Sequence, residues 1–129
     1  MKVGVPYGKY VLMGRLSKGG MAEIFLAKSA DPKFSGKLLV IKRTLPEYGG
    51  DREFLSMFLD EAYISTSLVH PNICRVSDTG QNGKELYLVM EFIHGKDLRM
   101  IGKRLKKLGR ELPPSLAAFI LAKIARALY

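Results

Sequence analysis

Apolar and polar residues follow two different periods in alternating stretches of this chain. Tyr10–Leu16 and Glu23–Lys28 are short runs of aliphatic, aromatic and β-branched residues, and Ser17-Lys18-Gly19-Gly20-Met21-Ala22 separates them. Two strands joined by a glycine-bearing loop are the predicted outcome. Residues 29–36 are turn-rich, and Leu38–Arg43 reads as a third strand. Its alternation puts Leu38, Val40 and Lys42 on one face and Leu39 and Ile41 on the other.

The period then becomes helical. Asp51 is a plausible N-cap with Glu53 in the first turn, and Phe54, Phe58, Ile64, Ser65 and Leu68 form an inner stripe ending near Leu68. Glu61 falls inside that stripe, where a carboxylate is costly unless a cation meets it. His70-Pro71-Asn72 ends the helix. Strands resume over 73–78 and 86–92, with Gln81-Asn82-Gly83-Lys84 as the turn between them. Leu98, Ile101, Leu105 and Leu108 recur at amphipathic spacing, and Pro113-Pro114-Ser115 opens a last helix running to Tyr129. The pattern predicts an α+β fold: an antiparallel five-stranded sheet with one packed helix, followed by two helices.

Composition narrows this reading. A 129-residue chain that is 47% hydrophobic and 26% charged is globular in type. At this length it buries roughly 65% of its unfolded surface, enough for one compact domain. The single cysteine, Cys74, permits no internal disulfide and suits a reducing compartment, as a small hydrophobe of a strand. No apolar run approaches the ~20 residues of a membrane span, and the first fifteen residues lack a signal-peptide core. A cytoplasmic location with no membrane segment is the expectation. One cysteine and two distant histidines, His70 and His94, predict no metal site.

The formal charge of +9 is uneven. Residues 96–129 hold nine basic and two acidic residues, against twelve and ten in residues 1–95. Such a cluster suits an anionic partner, or simply the solvated face of a helix. No aromatic platform is interleaved with the cations, so no nucleic-acid partner is expected. The last helix, with Phe119, Ile120, Leu121, Ile124, Ala125 and Leu128, is apolar almost all round and suits burial in a larger body. A truncated chain is the expectation.

Three features converge on one chemistry. Glycine in a strand-to-strand loop lets backbone N–H groups approach phosphate oxygens. Lys42 stands at the end of an apolar strand, and Glu61 lies in the apolar stripe of the following helix. Paired, they form a semi-buried ion pair that holds the ammonium toward a nucleotide's phosphates.

Those residues carry a resemblance. The segment Leu16-Ser-Lys-Gly-Gly-Met-Ala-Glu-Ile-Phe-Leu-Ala27, then Leu39-Val-Ile-Lys42, Phe58-Leu-Asp-Glu61, His70-Pro-Asn-Ile73 and Leu86-Tyr-Leu-Val-Met-Glu-Phe-Ile-His-Gly-Lys-Asp-Leu98 stand in fixed order and spacing. The chain from about Tyr10 onward is similar to the N-terminal lobe of a bacterial serine/threonine protein kinase of the eukaryotic-like type. The resemblance implies a lead-in over 1–9, an ATP-binding lobe over 10–93, and a hinge with the start of a helical lobe over 94–129. It implies that Leu16 and Ile24 cover the adenine and ribose. Ser17, Lys18, Gly19, Gly20, Met21, Ala22 and Glu23 would fold over the phosphates. Lys42 would contact the α- and β-phosphates, positioned by Glu61. Val40 would lie above the adenine, where alanine is usual, and tighten the pocket slightly. Met90 would close the back of that pocket, the backbones of Glu91 and Ile93 would bond the adenine edge, and Asp97 would reach the ribose. The cofactor implied is ATP, with Mg2+ only in a full-length kinase; the partner implied is a protein substrate.

Two departures from the pattern count. Ser17 and Ala22 replace the first and third loop glycines, and Ser17 weakens the phosphate grip if its position takes φ > 0. The His-Arg-Asp loop with its Asn and the Asp-Phe-Gly magnesium motif are absent from the sequence, so these 129 residues are expected to be inactive alone. Two other readings stay open: a non-catalytic kinase-like scaffold whose partner, or a missing lobe, covers the last helix, and a basic amphipathic binder of anionic lipid or nucleic acid through 96–110. Against the latter stands the expectation that the Leu98–Leu108 stripe packs on the last helix.

Overall fold

The computed structural model describes residues 4–33 and 36–129; residues 1–3 of the lead-in and Phe34 and Ser35 of the turn-rich connection lie outside the described residues. The chain divides into two compact units, Met1–Val69 with Cys74–Phe92, and His70–Ile73 with Ile93–Tyr129.

The first unit is a six-stranded antiparallel sheet: β1 Val5–Tyr7, β2 Tyr10–Lys18, β3 Ala22–Ser29, β4 Leu38–Thr44, β5 Val76–Asn82 and β6 Glu85–Glu91. The strand order is β1-β2-β3-β4-β6-β5, and α1 (Arg52–Ser67) joins β4 to β5. The sequence pattern predicts five strands; the sixth is β1. Its three residues contain Pro6 and are flanked by Gly4 and Gly8, which conceals them. As an edge strand it tolerates the proline, and Gly8 at φ +54 turns the chain back so that Tyr7 pairs with Tyr10. β5 begins at Val76 rather than Ile73, because Ile73 N–H donates to His70 O in a turn. It runs through Asn82 because Gly83, at φ +63, makes the turn without Gln81.

Strand alternation builds two cores. One sheet face carries Tyr7, Tyr10, Leu12, Ala27, Ile41, Tyr87 and Val89. The other places Val76, Leu86 and Leu88 against Phe58 and Ala62 of α1. The expected split of β4 holds: Leu39 and Ile41 join the first core, and Lys42 lies on the α1 face. On the first face Tyr87 makes T-shaped contacts with Tyr7 and Tyr10 at 5.4 and 6.1 Å between ring centres. Gly80 makes room for that ring, since a Cβ there would lie 2.5 Å from Tyr87 Cζ.

Tyr7 donates to Glu85 Oε2 at 2.9 Å and Tyr10 to Asp78 Oδ2 at 2.7 Å. Burial, then the carboxylate each phenol faces, pushes both tyrosines well above their ordinary value of 10. In the unfolded chain they ionise near 10. Their contribution to stability is therefore complete below pH 10 and declines as pH rises toward the folded values. Denaturant titrations from pH 9 to 11.5 should show stability falling above pH 10, by up to ~1.4 kcal/mol per pH unit for each tyrosine. Tyr7→Phe with Tyr10→Phe should flatten that decline; an undiminished decline would place its origin elsewhere.

α1 starts where the sequence places it, with Asp51 Oδ1 accepting from Phe54 N–H at 3.0 Å. Its buried face differs from the expected stripe. Phe58 and Ala62 are buried, whereas Ile64 and Leu68 are exposed. Six residues separate Ile64 from Phe58, which turns it about 120° around the axis. Ala62, small and easily overlooked, lies above Phe58 instead.

The second unit holds α2 (Leu98–Lys107) and α3 (Pro114–Leu128). Asp97 caps α2, its Oδ1 accepting from Met100 N–H at 2.7 Å. Gly109, at φ +65, closes the other end as Arg110 N–H reaches Leu105 O and Gly109 N–H reaches Lys106 O. Arg104, Lys106 and Lys107 in the last turn suit the negative end of the helix dipole. The stripe expected to pack on the last helix is open: Leu98, Ile101 and Leu108 are exposed, and no residue of α3 is buried. Among the described residues no helix is long and apolar enough to cross a membrane.

Candidate functional site

The β2–β3 hairpin carries the glycine loop at its tip. Gly19 N–H donates to Ala22 O at 2.9 Å, and Leu45 N–H donates to Met21 O at 3.0 Å, tying the loop to the end of β4. No residue from Ser17 to Ala22 has a positive φ, so the condition under which Ser17 would weaken the phosphate grip is not met. A Cβ on Gly20 would meet nothing within 4 Å, and one on Gly19 would sit at an ordinary 3.6 Å from Ala22 O. Nothing inside the fold requires glycine at these positions. What their missing side chains leave open is the outer surface of the loop.

The register of the sheet aligns the other candidates in two adjacent rows. Ser17, Ile24, Lys42 and Leu88 are successive cross-strand partners on β2, β3, β4 and β6; Leu26, Val40 and Met90 form the next row. Val40 is buried and Met90 is half-buried against the α1 core. Leu16 and Met21 are exposed beside the loop. Lys42 Nζ meets Glu61 Oε1 at 3.0 Å, with side-chain exposures of 27% and 50%. A pair this open to water adds roughly 0–1 kcal/mol to stability. Its consequence is orientation: one ammonium hydrogen is directed to Glu61, and two donors remain for an anion.

At the end of β6, Glu91 N–H donates to Arg75 O at 3.0 Å, while Arg75 N–H donates to Glu91 Oε1 at 2.9 Å. The Glu91 carbonyl meets only the Cys74 thiol, at 3.7 Å, among the side-chain contacts described. Cys74 is exposed and precedes β5, contrary to its expected place in a strand. Its thiol is held above its ordinary value by partial burial and then by Glu91. Ile93 and Asp97 belong to the second unit, where Ile93 is exposed and Asp97 caps α2.

Glu23 departs from the expected grouping. It shares the face of Phe25 and Arg43, opposite to Ile24 and Lys42. Its carboxylate accepts from Arg15 at 3.4 Å and from Arg43 at 3.1 Å. Arg43 also pairs with Glu85 at 3.6 Å and lies over the rings of Phe25 and Tyr7. The sequence reading passes over Arg15, Arg43, Tyr7 and Glu85, although the alternation of Glu23 with Phe25 and of Ile41 with Arg43 signals a shared face.

Comparison with known proteins is consistent over most of the chain. The family described as Protein kinase domain matches residues 10–129. Tyrosine-protein kinase MasK of Myxococcus xanthus is 42% identical over 103 residues, covering 77% of this chain and 16% of that protein. Serine/threonine-protein kinase PrkC of Bacillus subtilis is 34% identical over 92 residues, covering 71% and 14%. Serine/threonine-protein kinase PknA of Mycobacterium tuberculosis is 33% identical over 113 residues, covering 83% and 26%. Among solved structures, the Mycobacterium tuberculosis PknI kinase domain superposes with a TM-score of 0.77 at 26% identity, over 99% of this chain and 50% of that one. The chain thus spans about half of that kinase domain and a smaller share of these curated relatives.

Proposed function

The chain belongs to the protein kinase domain family, and from that premise we propose that it forms the ATP-binding lobe of a kinase that transfers the γ-phosphoryl group to a serine or threonine hydroxyl of a protein. The observation that carries the reading is the Lys42–Glu61 contact of 3.0 Å, made on the row of the sheet that leads through Ile24 to the loop stem. The chain's groups fit a nucleotide: a cation with donors to spare for phosphate, a loop free of side-chain bulk at Gly19 and Gly20, and an apolar row at Leu26, Val40 and Met90 for a base.

ATP, when bound, supplies the transferable phosphoryl group. The chain's own residues do the holding. Lys42 offers charge to the α- and β-phosphates, Glu61 keeps that ammonium from swinging into water, and the loop backbone approaches the phosphate oxygens. The Glu91 carbonyl is an acceptor for the base edge. Among the described residues no group of three or more His, Cys, Asp or Glu side chains could hold a metal ion, so no step is assigned to Mg2+. The orienting base for a substrate hydroxyl is likewise not assigned, and the 129 residues alone are read as inactive. In a complete kinase domain, further chain would cover the exposed apolar residues Phe119, Leu121, Ile124 and Leu128.

The serine/threonine assignment follows the names of PrkC and PknA; the name of MasK makes tyrosine the rival. Phosphoamino-acid analysis of substrate labelled by the complete kinase should return phosphoserine or phosphothreonine. Phosphotyrosine alone would transfer the assignment to the rival. For the chain itself, MgATP should raise the melting temperature, and the absence of any shift at millimolar nucleotide would count against the ATP-binding reading.

A further inference from the structure

The Glu23 cluster lies on the sheet face that the nucleotide reading leaves unused, yet it grips the strands that carry the nucleotide groups. Glu23 is 8% exposed and holds two guanidinium groups. Its cross-strand partner is Arg43, the residue after Lys42, and the adjoining rung pairs Ile24 with Lys42. β2 is irregular between Arg15 and Ser17, immediately below the loop. A bulge there loosens the backbone ladder, and Arg15–Glu23 is the side-chain contact that spans it. Arg43 continues the chain of contacts to Glu85, which also accepts from Tyr7 of β1.

We propose that Glu23 is a positioning residue of the nucleotide site: by clamping Arg15 and Arg43 it fixes the stem of the glycine loop on β4, so that the loop backbone and Lys42 meet the same phosphates. The proposal rests on the ATP-binding reading above and adds a residue whose side chain points away from the ligand. Freed from the clamp, the loop stem is held by backbone pairing alone, and a loop that samples several positions presents its N–H groups to phosphate only part of the time. The row proposed for the base, Leu26, Val40 and Met90, lies two rungs beyond Ile24–Lys42, further from the loop, and is anchored in the sheet.

The test compares adenosine with ADP as probes, titrated calorimetrically into the 129-residue chain and its Glu23→Gln variant. Glutamine keeps the volume and removes the charge. Adenosine affinity should stay within about twofold, whereas ADP affinity should fall by about tenfold. Amide exchange at Gly19 should quicken, with α1 amides unchanged as the record of an intact fold. An unaltered ratio of adenosine to ADP affinity in Glu23→Gln overturns the proposal and leaves the ATP reading standing. A wild-type chain that binds neither probe overturns that reading and this one with it. Should Glu23→Gln fail to fold, Arg15→Gln carries the test. Arg15 is half-exposed and its loss preserves the Glu23–Arg43 contact, so a smaller shift in the same ratio supports the clamp and no shift overturns it.

Discussion

Lys42→Met is expected to lose most of the affinity for ADP and ATP while keeping its fold and its affinity for adenosine. The lysine stem runs along an apolar row between Ile24 and Leu88, and methionine reproduces that stem without the ammonium. Stability should change little, because the exposed pair with Glu61 contributes ~1 kcal/mol at most. A charge-assisted contact to phosphate is worth about 1.5–3 kcal/mol, which corresponds to a loss of roughly tenfold to a hundredfold in nucleotide affinity. Nucleotide-induced thermal stabilisation of wild type and variant measures this directly. The wild-type shift should be largely absent from Lys42→Met, while adenosine shifts both equally. The same ADP-induced shift in both would remove Lys42 from the site. Glu61→Gln should sit between the two, since it frees the ammonium without deleting it. In a complete kinase domain the same substitution should slow phosphoryl transfer further, by roughly 10²–10³-fold, because charge builds on the phosphate oxygens as the bond breaks.

The Lys42–Glu61 pair and the glycine loop are legible in the sequence because each breaks a local rule. Lys42 ends an apolar strand, Glu61 interrupts an apolar stripe, and paired glycines occupy a strand-to-strand loop. Their joint explanation is a contact, and the structure places it at 3.0 Å. Element types were legible for a related reason: the change from period two to period 3.6 falls where β4 gives way to α1. What stayed hidden obeys no local period. β1 has three residues and a proline, and what anchors it besides its pairing with β2 is Tyr7, packed on Tyr87 and bonded to Glu85, 78 residues away. Arg43 looks like any strand-end cation until its neighbours across three strands are known. The apolar stripe misplaces the buried face of α1 because it weights side-chain size over angle. Ile64 is the larger residue, but Ala62 lies on the Phe58 side.

That last difference sets up the second large effect, in which Phe58→Ala unfolds the first unit or brings it to the edge of unfolding while Ile64→Ala leaves it nearly unchanged. Phe58 is 4% exposed and packs with Ala62, Val76, Leu86 and Leu88, bordered by Leu55 and Met90. Truncating a buried phenylalanine to alanine costs ~3–5 kcal/mol through lost burial and the cavity left behind. Small domains hold about 5–15 kcal/mol in all, so this loss removes about a fifth of the stability at the least and nearly all of it at the most. Ile64 is 57% exposed, and its truncation should stay within about 0.5 kcal/mol. Urea titrations of the two variants measure both quantities, with an unchanged slope confirming that the same surface unfolds. Comparable losses from both would return Ile64 to the inner face that the sequence stripe assigned it. The consequence extends to the site, because Phe58 lies one turn before Glu61 and is the side chain that docks this stretch of α1 on the sheet. In whatever folded fraction Phe58→Ala retains, α1 is less firmly seated and the Lys42–Glu61 distance is no longer fixed by the core. Nucleotide affinity should therefore fall in Phe58→Ala even under conditions where it is folded, and remain at the wild-type level in Ile64→Ala.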